Sequence, residues 1–295
     1  MSAVISPDVV GLEVGPSEVL VDERRAMAFA SAIPDVDRRY FDTTRVGGIV
    51  AHPLFVTSLE WPTLRDLLAS VAADPEIRGS MRQTVHDVLF HRLIRPPERL
   101  STTATVLAVH DGFAGARLIF RIDTVDADGH PVAETHMSFT LLGIRLNGEN
   151  RSLASPPDEP APPQTEPRFA EDIHIPTHAA HVWSECAAMH DPIHTDRRAA
   201  LEAGLAEPIL HRPALMATVV SHLTRRLTDA DPSPVHRVVF RFAAEVTMPC
   251  VLRLHVDQPR HAAGDGGLLR VPFSVINQNG EPTVSRATLF LKPRA

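Results

Sequence analysis

The sequence predicts an α+β fold made twice, with an antiparallel sheet wrapped around a central helix in each of two tandem units. Three observations carry this. First, the chain repeats itself. "FASAIPDVDRRYFD" (29–42) matches "WSECAAMHDPIHTD" (183–196) at an offset of 154, "GGIVAHPLF" (47–55) parallels "AEPILHRPA" (206–214), and "VHDVLFHR" (85–92) parallels "VHRVVFRF" (235–242) at an offset of 150. Second, each copy has one long apolar stretch of helical period. Third, each copy ends in runs of period-two alternation around a turn dipeptide.

The elements follow in the same order in both copies. A short helix comes first. In the second copy Thr177 is the expected N-cap of a helix over about 178–188, with Ala180, Trp183 and Ala187 on one face. A polar loop follows, within "HDPIHTDRRAALEAGLAEPILHRPALM" (190–216). The long helix is expected over 211–227, where Leu215, Val219, Val220, Leu223 and Leu227 recur every three to four residues. Its counterpart near 54–72 carries Leu64, Leu67, Leu68 and Val71 and is interrupted by Pro62. Strands complete each copy, turning at Asp128-Gly129 in the first and at Asn279-Gly280 in the second. Between the copies, 149–171 holds six prolines, which cannot donate to a sheet, and reads as an extended linker. The expected division is 1–148, a Pro-rich linker 149–171, and 172–295.

Composition narrows the function classes. The chain has 295 residues, 44% of them hydrophobic and 22% charged, enough to bury a core without disulfides. Its net charge is −7 and Lys292 is its one lysine, so no nucleic-acid partner is expected and no polybasic membrane tract is present. The first residues lack the basic and apolar regions of a signal peptide, and no apolar run is long enough to span a bilayer. With only Cys186 and Cys250, the reading is a cytoplasmic protein with reduced thiols.

At "MHDPIHTD" (189–196) and "EPILHRPAL" (207–215), and in the first copy at "GGIVAHPLFVTSLEWP" and "FHRLIRPPERLSTTATV", the chain resembles the MaoC-like (R)-specific enoyl-thioester hydratases and dehydratases in their double hot-dog form. The resemblance covers nearly the whole chain. It implies a double hot-dog fold, in which two tandem hot-dog units share one sheet. It also implies an acyl thioester substrate on coenzyme A or an acyl carrier protein, no cofactor, and compatibility with a homodimer. The family motif is Asp-x-Asn-Pro-(Leu/Ile)-His-x-Asp, followed by Pro-Ile-(Leu/Val)-His-Gly at the start of the central helix. In that family the motif's Asp and His form the acid/base pair.

The departures fall on the chemistry. Met189 stands at the Asp position, Asp191 at the Asn position, and Arg212 at the helix-start Gly position, where the resemblance implies that a backbone N–H binds the thioester oxygen. The first copy keeps an acid, Asp35, but has Tyr40 in place of the His, so it is expected to be a degenerate half.

Dehydration of a 3-hydroxyacyl thioester needs a base for the α-proton, an acid for the departing hydroxyl, and donors for the enolate oxygen. Histidine suits the first task, and a helix N-terminus suits the last. His194 is the candidate base, against the reading of a loop histidine bonded to backbone. Asp191 is a candidate partner or an Asx-turn residue. His190 is a second candidate partner, although sequence neighbours often point away. His211, Arg212 and Met189 are candidates for oxyanion or substrate contact, with His211 also readable as a structural residue. Asp196 reads as the cap of the Arg197–Ala203 turn. His178, His181, Cys186 and His190 invite a metal, but Pro176 and their spacing match no standard zinc pattern. Cys186 as a nucleophile is equally weak, on the inward face of a helix.

The favoured function is therefore a hydro-lyase, a dehydratase or hydratase of (R)-3-hydroxyacyl or 2-enoyl thioesters in fatty-acid or polyketide metabolism. Two alternatives stay open. One is a diverged isomerase or a cyclase adding oxygen to an enoyl group, and the other is a non-catalytic acyl-binding protein.

Overall fold

The computed structural model describes residues 3–155, 167–261 and 267–293. The first half contains β1 (Val4–Ile5), β2 (Glu13–Val21), α1 (Glu23–Ser31), α2 (Arg38–Phe41), α3 (Val56–Val71), α4 (Pro75–Ser80), β3 (Met81–Phe90), β4 (Glu98–His110), β5 (Gly115–Asp126), β6 (Pro131–Leu142), β7 (Arg145–Leu146) and β8 (Arg151–Ser152). The second contains β9 (Phe169–Ile175), α5 (Ala179–Ala187), α6 (Arg197–Glu202), α7 (Arg212–Leu227), β10 (Val235–Phe242), β11 (Cys250–Val256), β12 (Arg260–His261), β13 (Leu269–Ile276) and β14 (Pro282–Leu291).

Twelve strands form one sheet, whose main path runs β2-β4-β5-β6-β3-β10-β14-β13-β11-β9. All of its ladders are antiparallel. Read outward from the β3–β10 seam, the two halves present their strands in the same order. A β-strand, then helices, then four antiparallel strands recur in each half, so the repeat in sequence is a repeat in topology.

The turns repeat at atomic detail. In the β5–β6 hairpin, Asp126 Oδ1 accepts from the N–H groups of Asp128 and His130. In the β13–β14 hairpin, Asn277 Oδ1 accepts from Asn279 and Glu281 in the same way. Gly129 and Gly280 follow at φ +81° and +79°, a left-handed position that suits glycine.

Helices α3 and α7 pack their apolar side chains against those of the strands. On α7 every residue from Ala214 to Thr224 is buried. One apolar cluster joins both halves, from Phe29, Leu54 and Val88 to Leu215, Val238 and Phe240. Each large apolar side chain so buried contributes roughly 1.5–3 kcal/mol. Helices α1 and α5 meet across the seam, where Phe29 and Trp183 pack edge-on with centroids 4.8 Å apart.

Three sequence expectations are corrected. Helix α3 runs unbroken through Pro62, because a buried apolar face outweighs the single N–H that proline removes. His178, not Thr177, occupies the N-cap of α5, and it makes no side-chain cap bond. The linker's ends are strands: Arg151–Ser152 pairs with β4, and β9 begins at Phe169 and pairs with β11. The rest of that segment, 156–166, lies outside the described residues.

Candidate active site

The motif loop is built from three local devices. Ala188, at φ +53°, ends α5 in a left-handed turn, and Met189 N–H bonds back to Ser184 O at 3.1 Å. Asp191 then caps a 3-10 turn over Pro192–His194, accepting from Ile193 N–H at 3.3 Å. Asp196 caps α6, accepting from the N–H groups of Arg198 and Ala199, which is the structural role expected of it.

His194 leaves this loop toward the start of α7. Its Nδ1 donates to Ile209 O at 2.8 Å. The proton therefore sits on Nδ1, which leaves Nε2 as a lone-pair acceptor. Burial holds the imidazole below its ordinary pKa and outweighs the opposing bond to Ile209 and the charge of Asp191. His194 is neutral near pH 7, as a base must be.

The His194 ring stacks on His211, with centroids 3.7 Å apart and planes 25° from parallel. His211 is buried, and its Nε2 donates to Met189 O at 3.1 Å and lies 3.3 Å from Ser184 Oγ. Burial, reinforced by His194, pushes its pKa down to about 2. Its Nδ1 is buried without a hydrogen-bond partner. The first copy explains why: there His52 Nδ1 accepts from Leu54 N–H at 3.1 Å, while Pro213 stands at the matching position and has no N–H.

Arg212 finds room at the helix start by turning its guanidinium away from the backbone. It donates to Glu245 Oε1 at 2.6 Å and to Gln83 O, and lies 4.9 Å over the Phe242 ring. Pro213 costs the first turn of α7 one donor, but the other free N–H groups remain at its positive end.

These side chains line a cavity of about 680 Å³ between the two halves. Met189, Asp191, His194, His211 and Arg212 come from the second half, and α3, β3 and β6 supply the opposite wall. Met189 is a buried apolar wall where the motif would have an acid.

His190 does not join them. Its side chain is 62% exposed, its nearest acid is Glu185 at 3.9 Å, and it does not line the cavity. The structure thus does not bring His190 into the cavity beside His194. Asp35 is spent on the N–H of Asp37, and Tyr40 is buried beside His52, centroids 5.6 Å apart. Neither lines this cavity. Among the described residues, His178, His181, Cys186 and His190 do not converge into a ligand set. The set that does converge is the exposed turn of Asp126, Asp128 and His130. Cys186 is partly exposed rather than inward-facing, and burial raises its thiol pKa, the wrong direction for a nucleophile.

Two cavity residues escaped sequence reasoning, Glu60 on α3 and His86 on β3. Both are fully buried. Burial raises the Glu60 pKa to about 8 and lowers that of His86 to about 3, so both are neutral at pH 7. The signal available was an acid inside the apolar run "FVTSLEWP" and the histidine of the repeated "VHDV".

Residues 158–266 match the family model of the MaoC like domain. No curated protein matches the chain. Among solved structures, the chain is similar to a MaoC-like dehydratase from Phytophthora capsici, with a TM-score of 0.80, 18% identity, and 97% of each chain covered. It is also similar to the peroxisomal multifunctional enzyme type 2 of Drosophila melanogaster, with a TM-score of 0.76 and 19% identity over 95% of this chain and 48% of that one. A third likeness is to a conserved hypothetical protein of Mycobacterium tuberculosis described as having a double hotdog fold, with a TM-score of 0.61, 15% identity, and 96% and 95% covered. The match over residues 158–266 thus lies within a chain whose sheet and two central helices form a double hot-dog fold.

Proposed function

We propose that this protein is a hydratase or dehydratase of (R)-3-hydroxyacyl and 2-enoyl thioesters, held on coenzyme A or an acyl carrier protein. The observation that carries the reading is the bond from His194 Nδ1 to Ile209 O, which leaves Nε2 as a base in a cavity that also holds the start of α7. In the dehydration direction, Nε2 takes the α-proton while free N–H groups of the α7 N-terminus stabilise the enolate oxygen. The Cβ–O bond then breaks, and the imidazolium returns its proton to the departing hydroxide, releasing water. One histidine serves both steps, because Met189 offers no acid and His190 faces away. Asp191 acts by holding the Pro192–His194 turn. Residues 1–148 and 172–295 are read as the two units, the first shaping the cavity and the second carrying the base.

A second reading has a specific observation behind it. Met189 as a buried wall suits an isomerase or cyclase that handles the same α-proton without adding water. Polyketide or fatty-acid metabolism is the setting in which such substrates arise.

The test is turnover of 2-enoyl thioesters, followed by loss of the enoyl absorbance and by product analysis. His194→Ala should lower kcat/KM by about 100-fold or more, with a stability loss of only about 1–3 kcal/mol from the lost bond to Ile209 O. A variant with full activity would remove His194 from the mechanism.

A further inference from the structure

On the cavity wall opposite His194, two polar side chains end in atoms with no partner. Glu60 Oε1 accepts from Thr135 Oγ1 at 2.6 Å, while Oε2 is buried without a hydrogen bond. His86 Nδ1 faces the Gln83 amide nitrogen at 3.2 Å, while Nε2 is buried without one. Both residues line the cavity. They are neighbours through the sheet: His86 lies opposite Met137 and Val88 opposite Thr135, so His86 and Thr135 share one face at a diagonal spacing. Such a diagonal is about 7–8 Å between strands, and Glu60 bonds to Thr135, which puts the two groups on the same wall.

Proton positions follow from these bonds. An amide nitrogen can only donate, so Gln83 donates to His86 Nδ1 and the ring proton sits on Nε2. Buried at neutral pH, Glu60 keeps its proton, and with Oε1 accepting from Thr135 the proton sits on Oε2. Two residues of the cavity wall thus each hold a buried donor with nothing to receive it. An unsatisfied buried donor typically costs about 1–3 kcal/mol, so a bound acceptor has that much to recover at each.

We propose that Glu60 and His86 form a subsite for an acceptor oxygen, a carbonyl carried on the acyl chain of the substrate beyond the thioester. A plain alkyl chain leaves both donors unmet, so the pair selects oxygenated acyl thioesters over hydrocarbon ones. A path of contacts links the subsite to the reaction centre: Arg212, adjacent to His211, donates to Gln83 O, and Gln83 donates to His86. The thioester can therefore lie at His194 while the chain runs along β3 toward α3. This rests on the acyl-thioester reading above.

The experiment is calorimetric binding of saturated S-acyl pantetheine thioesters, plain or with one keto group walked along the chain. At one position the keto ligand should bind about tenfold tighter than the plain ligand of equal length. Glu60→Leu and His86→Phe should each collapse that ratio toward one. Glu60→Gln keeps an acceptor for Thr135 and a donor in place of Oε2–H, and should retain the ratio. Equal binding of keto and plain chains at every position would overturn the subsite and leave the thioester reading standing. No binding of either ligand would overturn both. Should Glu60→Gln lose the preference as fully as Glu60→Leu, or should Glu60→Leu leave it intact, the donor argument fails even though thioesters bind.

Discussion

Val88 and Val238 are paired with each other at the centre of the sheet, and the repeat makes them the same residue of the two copies. With an offset of 150 between copies, the flanking pairs mirror each other: Asp87 lies opposite Val239, and Leu89 opposite Arg237. This register requires a local two-fold axis between the valines, the relation of a symmetric dimer fused into one chain. The ion pair beside it obeys the same symmetry. Arg237 and Asp87 are equivalent positions, and they bond at 2.6 and 2.8 Å.

That pair is where the seam is most sensitive. Asp87 has 7% side-chain exposure and Arg237 19%, so removing the acid takes two charge-assisted hydrogen bonds from a largely desolvated guanidinium. Asp87→Ala should cost about 2–3 kcal/mol in chemical denaturation, below the loss for a fully buried pair because Arg237 still lies over Phe290. A loss under about half a kcal/mol would mean that the seam is held by the β3–β10 ladder and its apolar faces alone.

The parts of the fold that were legible in sequence are those set by local rules. Alternation in "ATVLAV" and "VPFSVI" is a strand on any backbone, and Asp128-Gly129 and Asn279-Gly280 are turns by their own chemistry. Strand β9 was hidden because its charged residues, Glu171 and Asp172, continue the polar character of the linker before it. The site was legible only where a motif reports it. Asp191, His194, His211 and Arg212 line one cavity, but the side to which a turn sends His190 is a backbone property that spacing does not encode. Glu60 and His86 were illegible for a different reason. Their cavity is made by bringing the first half's helix against the second half's loop, a tertiary event with no local trace.

The buried histidines make stability depend on pH in a stated direction. His52 and His86 are pushed down to about 3 and His211 to about 2, all by burial, from an ordinary 6.5. Below pH 6.5 the unfolded chain takes up protons that the fold refuses, so each histidine removes stability as pH falls, at up to about 1.4 kcal/mol per pH unit. Glu60 has the opposite sign. Its folded pKa of about 8 lies above the ordinary 4.5, so the fold holds a proton that the unfolded chain has lost, and stability rises as pH falls through that range. From pH 6.5 to 5.5 these three histidines remove about 3 kcal/mol and Glu60 restores about 1, a net loss of about 2 kcal/mol from the four groups, to which His194, His136 and His236, also held below their ordinary pKa, add in the same direction. Denaturation across this range checks the sum. Glu60→Gln should make the loss steeper by about 1 kcal/mol, and an unchanged slope would mean that Glu60 is ionised in the fold.

Asp191 separates positioning from proton transfer. Its carboxylate caps the turn that aims His194, a task an amide oxygen performs as well. Asp191→Asn should therefore hold kcat within about tenfold of the parent, whereas Asp191→Ala should lower both kcat and the melting temperature, losing about 1 kcal/mol of cap. A fall of about a thousandfold in Asp191→Asn, with the melting temperature kept, would make the carboxyl the missing acid and leave His194 as base alone.

Met189 decides which reaction the cavity runs. Its backbone carbonyl already receives His211 Nε2, and its side chain is buried against the cavity. Met189→Asp would put a carboxyl where the family motif has one, within a loop whose base is already aligned. If water addition is the native reaction, the variant should hydrate crotonyl-CoA faster, since a second group now shares the proton work. If an apolar wall is what the native reaction needs, the variant should gain on crotonyl-CoA and lose on the native substrate, since a polar group now brings water to that wall. Either gain comes at a stability cost of about 1–3 kcal/mol, because burial opposes ionisation of the new carboxyl and raises its pKa. Thermal melts at two pH values measure that cost, and it should grow as pH rises and ionisation is forced. Rates on both substrates then divide the cases. Gain on both supports a dehydratase weakened by the loss of its acid, and gain on one with loss on the other supports the diverged isomerase or cyclase. No thioester activity in the parent or in Met189→Asp would leave the cavity as a binding site for an acyl chain and overturn the catalytic reading.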